Sequence, residues 1–570
     1  MKKIISLILS VVMVLSVCTV SLTTAAFAVD TSVTVEEAQG EAILAEVACA
    51  DFGTSAISTS GKSLGDVLLK LLYGVADTLI DCIVGAINSV TPSVDFADKD
   101  SFVNDQLSEG IAEYLSEPTP GAKWSLGYGS ASLQTGNELD GNHFVGGSLS
   151  FPKTKAATAV YDDQRVRVIA LNDGSGRGTV VFAVIDGFGV SNETVREIRA
   201  QLADFAKAND VVSINISVLH QHSCVDTFGM NGDLLKMIFT NPVTNILNKF
   251  GANKKLLNGL NDEFMANLYA KTEQAIKDAV NSMTEGEMYY SEIDASAYIR
   301  DKRDPIVFDP YIHRIRFVPD NGERETWICN MAIHCVGNGA AGTAVTGDYP
   351  YYMEQVINSE ADANFIELQG AELAITSSHE NLDTEGLERL ESLKVYGTAL
   401  GNLVVDSTEA ETKVAPLLNL KMSEYYIPVS NKILEFAGRL GAITNTVVES
   451  GCQGKDLEVA TEIGYMELGT DIAVALIPGE LEPAIAYGGY LTAEESWNGE
   501  DFNYPSLQEI VGDKKLLVFG LMNDQVGYIL LDNDFKSILA GENEELVATG
   551  EKAGSTTIQA FENLYNSIEK

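Results

Sequence analysis

Positive charge is scarce in this chain. Its 570 residues hold 38 Lys and Arg against 81 Asp and Glu, a formal net charge of −43. A surface so negative repels phosphate backbones and anionic bilayers, which argues against nucleic-acid binding. No C-x-x-C occurs, which argues against a cysteine zinc cluster. Beyond the first residues no apolar run is long enough to span a membrane without charges, so no stable membrane insertion is expected. There is no internal repeat and no low-complexity tract. Histidine is rare, at six residues.

What is present begins with MKKIISLILSVVMVLSVCTVSLTTAAFA: two lysines, an apolar run and Ala26-Phe27-Ala28. That is the pattern of a secretory signal with an A-x-A cleavage site. Residues 1–28 are expected to be removed after Ala28 and the remainder released. Val17 is larger than a lipoprotein signal usually carries before its cysteine, here Cys18. Six cysteines follow: Cys49, Cys82, Cys224, Cys329, Cys335 and Cys452. Spread over this length they do not read as a disulfide scaffold, and buried apolar thiols are the simplest account. A Cys–His catalytic pair is the sharper alternative, because Cys224 and Cys335 each lie within two residues of a histidine.

Apolar residues make up 45% of the chain, enough for a sizeable core. Residues 29–117 read as an acidic, partly helical extension, closed by Pro118-Thr119-Pro120-Gly121. From residue 118 to residue 570, strands alternate with helices. GTVVFAVIDGFGV is a strand with a Gly-rich exit. SNETVREIRAQLADFAKAND places Val195, Ile198, Leu202 and Phe205 on one helical face. VVSINISV is the next strand. This order implies a right-handed parallel unit. The expected class is α/β, with mixed multi-stranded sheets, flanking helices, a site at the strands' C-terminal ends and a helical N-terminal extension. NDGSGRG reads as a hairpin turn. GNGAAG fits G-x-G-x-x-G but is followed by TAVTGDYP, β-leaning and broken by Pro350, so a dinucleotide site is not expected. A helix is expected from Asp348 as N-cap.

In VVSINISVLHQHS, apolar residues alternate with polar ones, so His220 and His222 extend one face of the strand as it ends. Their Cα atoms stand ~6.5–7 Å apart, close enough to serve one small site. His334 follows a second apolar strand in TWICNMAIHC. Glu480 follows a third, past the turn at Pro478-Gly479, and Tyr528 a fourth. Two histidines, a carboxylate and a phenol just past apolar strands make a zinc shell with room for water.

These residues resemble a family, the neutral/alkaline non-lysosomal ceramidases. HQHS is similar to that family's His-Thr-His-Ser-Gly element. LGYG, VFAVIDGFGVSNETVREIR, MAIHC, GDYPYYMEQVI, IPGE and GLMNDQVGYI resemble further segments in the same order, over about residues 122–565. The resemblance implies a secreted zinc-dependent amide hydrolase that cleaves a ceramide-like N-acyl amide. It makes His220, His334, Glu480 and Tyr528 the zinc ligands and His222 a catalytic partner. Arg303 in RDKRDP takes the place of the family's arginine, and either it or Tyr528 would hold the developing oxyanion.

The sequence departs from the family in places. Ser223-Cys224-Val225 stands where the family has Gly-Pro. LQGAELAITSSHE stands where it has a Gly-Asp-x-Ser-Pro-Asn loop. The residues after Tyr528 are few, so no C-terminal immunoglobulin-like domain is expected. An inactive binding protein and a zinc hydrolase of non-lipid substrates therefore remain alternatives. A helical insertion is expected at about 230–283, apolar from Leu234 to Phe250. It reads either as a helical hairpin broken at Asn241-Pro242 or as a lid over an acyl chain.

Overall fold

The structure is a computed structural model and describes residues 64–147, 153–339, 342–451, 456–537, 540–541 and 544–568. Residues 1–28, expected to be a secretory signal, Cys18, Cys49, Cys452 and the start of the N-terminal extension lie outside the described residues. The chain divides into two compact units. One takes in residues 1–89 with 537–540, and the other takes in the rest. In the first, the main described element is helix α1, Leu64–Val90. By length and composition alone its Lys70–Val90 part is apolar enough to cross a membrane, despite Asp77 and Asp81. Leu72, Val75 and Leu79 are exposed on it, while Ile80 and Ile87 are buried.

The second unit is built on two sheets. The first contains β1 (Trp124–Ser132), β2 (Arg165–Asn172), β3 (Thr179–Ile185), β4 (Val211–Val218), β5 (Thr284–Asp294), β6 (Tyr311–Pro319), β7 (Glu325–Met331) and β8 (Ala363–Gln369). Their order is β8-β7-β6-β5-β1-β2-β3-β4, and Thr412–Val414 adds a short ninth strand beside β5. The second sheet contains β9 (Leu418–Pro428), β10 (Val447–Ser450), β11 (Asp456–Leu468), β12 (Ile472–Leu476) and β13 (Lys515–Phe519). Ala97–Asp98 pairs with β10 as its edge, and Ile111 is buried in the core. Residues 91–117, read from the sequence as extension, thus lie in this unit.

Period-two alternation sorts the strand residues between faces. Ile169, Leu171, Val180, Phe182 and Val184 pack with Leu420, Val474 and Leu517 in a core shared by the two sheets. On the opposite face of the first sheet, Val168, Val181 and Ala183 meet helices α2 (Asn192–Ala208) and α4 (Asp262–Asn281). On the opposite face of the second sheet, Tyr465, Ala475 and Val518 meet α8 (Ala553–Ser567). The result is four layers, helix, sheet, sheet, helix.

The elements expected around the histidines form for the expected reasons. Ser191 caps α2 through its side chain, which accepts from Thr194 N. β3 and β4 pair in parallel across α2, and β2 and β3 are an antiparallel hairpin around NDGSGRG. Helix α5 runs Asp348–Val356 with Gly347 as its cap, so Asp348 is its first residue and not its N-cap. Helix α3 (Leu234–Lys249) is a correction: it runs unbroken through Pro242. Asn241, beside that proline, ties the helix to the following loop: its side chain accepts from Leu257 N and donates to Leu257 O.

Three parallel pairs, β3/β4, β7/β8 and β12/β13, send strand ends toward one region. Gly520, just past β13, donates to Gln369 O at 2.8 Å. A Cβ at Gly520 would stand 2.6 Å from Gly370 O, so only glycine lets the ends of the two sheets approach this closely. Asn523 then donates to Ile216 O on β4.

Candidate metal centre

His220 leaves β4 at a φ of +52°, a left-handed conformation uncommon for a residue with a side chain. Its Nδ1 donates to Phe188 O at 2.8 Å. The Phe188 ring lies against the imidazole, centroids 4.6 Å apart. With the proton on Nδ1, Nε2 carries the lone pair, and Nε2 has no hydrogen-bond partner although buried. It stands 3.3 Å from Glu480 Oε2.

His334 is built the same way. Its Nδ1 donates to the carbonyls of Glu372 and Ile375 at 3.0 and 3.1 Å. Its Nε2 lies 3.0 Å from Glu480 Oε2. Backbone carbonyls behind both rings fix orientation and tautomer, as around metal-binding histidines. Glu480 is steadied in turn, because Gln525 Nε2 donates to its Oε1 at 2.8 Å. Burial pushes the Glu480 carboxyl up, but the flanking imidazoles in their protonated form outweigh this and hold it well below the usual carboxylate range. Tyr528 stacks near His334, centroids 6.5 Å apart, and its hydroxyl turns to Glu480. Burial, then Glu480, pushes that phenol well up.

His222 differs from the other two. Neither ring nitrogen has a hydrogen-bond partner. Its centroid is 4.7 Å from that of His220 and 5.9 Å from that of His334. Burial and then the two neighbouring imidazoles push its pKa well below the usual histidine value, so the ring is neutral. Gly147, at a φ of +68°, leaves the space the ring occupies; a Cβ there would run into His222 Nδ1.

Donor atoms of His220, His222 and His334 lie within 4.8 Å of one another, and so do those of His220, Glu372 and Glu480. Unpaired buried lone pairs on nitrogen and oxygen, with rings locked from behind, fit a divalent ion such as zinc. The cluster opens on a cavity of about 420 Å³. Phe188, Phe228, Ile443, Val459, Val526 and Val547 are part of its apolar wall, beside His220, His222, Glu480 and Tyr528.

In this arrangement the chain meets known proteins. It matches no protein-family model and no curated relative. Solved structures do match. A neutral ceramidase from Pseudomonas aeruginosa superposes with a TM-score of 0.55 at 13% identity, over 78% of this chain and 74% of that one. A ceramidase complexed with C2 superposes at 0.53, also 13% identical, over 78% and 75%. The fold is that of the neutral ceramidases.

Within this ceramidase-like fold, His220, His222, His334, Glu480 and Tyr528 stand together. Arg303 does not join them. Its guanidinium donates to Asp534 O and to Glu545 Oε1 at 2.8 and 2.9 Å, both buried acids, and is held there. The cysteine alternative fails on chemistry: burial pushes the Cys224 and Cys335 thiols well up, away from the reactive thiolate. Helix α3 does not line the cavity. Met237 packs beside Leu440 and Ala442 near helix α7 (Lys432–Leu440), and Phe239 is 44% exposed.

Sequence reasoning missed Glu372 and Gln525. The mark on Glu372 is one of strand register and not of local pattern. Met331 and Gln369 are register partners at the ends of β7 and β8, and His334 and Glu372 each stand three residues beyond. Gln525 had none, since its role depends on the loop between β13 and Tyr528.

Proposed function

We propose that the protein is a zinc-dependent hydrolase of N-acyl amides that carry a long apolar chain. The observation that supports this best is the continuity of the histidine–glutamate cluster with an apolar cavity, since such a cavity takes hydrocarbon while a few polar groups orient the reacting end. His220, His334, Glu480 and Tyr528 would hold the ion, which when bound supplies Lewis-acid polarisation of a carbonyl and a more acidic water.

The chain's own residues do the rest. Neutral His222 takes a proton from the attacking water on one ring nitrogen and returns it to the leaving amine nitrogen, which needs an imidazole whose lone pair is not already committed. The apolar wall holds the acyl or sphingoid chain and excludes water. We further infer export to the cell exterior from the pattern of residues 1–28.

The test is metal analysis of the purified chain, followed by a screen of N-acyl amides of graded chain length with and without chelator. Chelator-sensitive cleavage that favours long chains is expected. Zinc without turnover on any amide would leave a binding protein in its place.

A further inference from the structure

Glu372 is the buried acid that the histidine–glutamate reading leaves unused. Its backbone carbonyl accepts from His334 Nδ1 at 3.0 Å, which fixes that ring from behind. Its side chain enters the cluster, with a carboxylate oxygen within 4.8 Å of the donor atoms of both His220 and Glu480. The residue is 0% exposed, and neither carboxylate oxygen has a hydrogen-bond partner. His334 Nδ1 lies 4.0 Å from Oε2, beyond hydrogen-bond reach, and is already committed to two carbonyls.

A buried carboxylate without partners is expensive, and a second one close by adds repulsion. Among the described residues no Lys or Arg pairs with Glu372 or Glu480. A dication between the two removes both costs at once, because its charge equals that of two carboxylates.

We propose that Glu372 is a direct donor to the metal ion, a second carboxylate beside Glu480. The proposal rests on the metal-centre reading above and deepens it. The donor set becomes two imidazoles and three oxygens, more oxygen-rich than the expected shell. Such a set is more accepting of harder divalent ions such as Mn²⁺.

The experiment titrates the metal-stripped full chain with Zn²⁺, Mn²⁺ and Co²⁺ against a competing chromophoric chelator, and records the visible Co²⁺ spectrum. Glu372→Gln is expected to weaken Zn²⁺ by roughly tenfold or more, to weaken Mn²⁺ further, and to change the Co²⁺ bands. Unchanged affinities and bands in a folded Glu372→Gln chain overturn the proposal. If that variant does not fold, Glu372→Asp keeps the charge and shortens the reach; altered Co²⁺ bands support the proposal and unaltered ones overturn it. Failure of the unaltered chain to bind any divalent ion overturns the metal centre itself, and so is told apart from failure of this donor alone.

Discussion

His220 and Phe188 hold each other in place: the His220 Nδ1 donates to the Phe188 carbonyl at 2.8 Å while the two rings pack with centroids 4.6 Å apart. This single relationship spends the inner nitrogen of the ring and leaves Nε2 facing Glu480. His222, two residues on, has no such anchor at either nitrogen. The two histidines of one strand end are therefore prepared for different work.

That difference is measurable. His220→Ala is expected to lose most of the metal. His222→Ala is expected to keep it and to lose turnover by ~10²–10⁴, the usual worth of a general acid–base group. Metal content and kcat on the same preparations decide the matter, and equal metal loss in both variants would make His222 a ligand.

The cavity wall, not helix α3, should govern chain-length preference. Each buried CH₂ is worth about 0.8 kcal/mol, so four carbons give up to about 3 kcal/mol. Ile443→Trp, which fills part of the cavity, should abolish the gain from long chains. Phe239→Asp, on the exposed face of α3, should leave it intact. The readout is kcat/KM across an N-acyl series, and the reverse pattern would restore α3 as the lid.

Arg303 should matter for stability and not for chemistry. Its loss leaves Glu545 buried without a cation and Asp534 with Lys536 alone, at 3.6 Å, which costs about 3 kcal/mol by analogy with other broken buried pairs. Arg303→Ala should therefore unfold at much lower denaturant while kcat per folded molecule holds. A fall in kcat at unchanged stability would place it in the reaction.

Glu367 sets a pH dependence of stability. Burial pushes its carboxyl up to about 8, against Tyr349, which donates to it at 2.6 Å, and Arg167; Asp186 and Asp348 add to the rise. An unfolded glutamate titrates near ~4.3, so between there and about 8 the folded state binds more protons than the unfolded one. Stability then falls as pH rises through that window. Glu367→Gln should reduce this slope in melting curves from pH 5 to 9 without abolishing it, because burial also raises Asp348, Glu482 and Asp524 to about 7. An unchanged slope would assign it wholly to those groups.

Much of the centre is legible in the sequence because strand period and strand termination are local. Val212 to Val218 alternate, the strand stops, and His220 and His222 are left at its mouth whatever the rest of the chain does. The same holds for His334 after Met331 and Glu480 after Pro478-Gly479. The parallel β3–α2–β4 unit follows from residues within one short window.

Tertiary structure alone decided which of the many acids serve the site. Glu372 and Arg303 carry no local mark, because a buried lone pair and a committed guanidinium are made by distant partners: β8 against β7 for one, Asp534 and Glu545 for the other. Helix α3 shows the same limit. Its apolar residues look like a lid in sequence, but whether they face a cavity, a neighbouring helix or solvent depends on packing against α7. Periodicity records that a face is apolar and not what covers it. The donors come from strand ends in both sheets, and only the close approach of the Gly370 and Gly520 backbones brings those ends together.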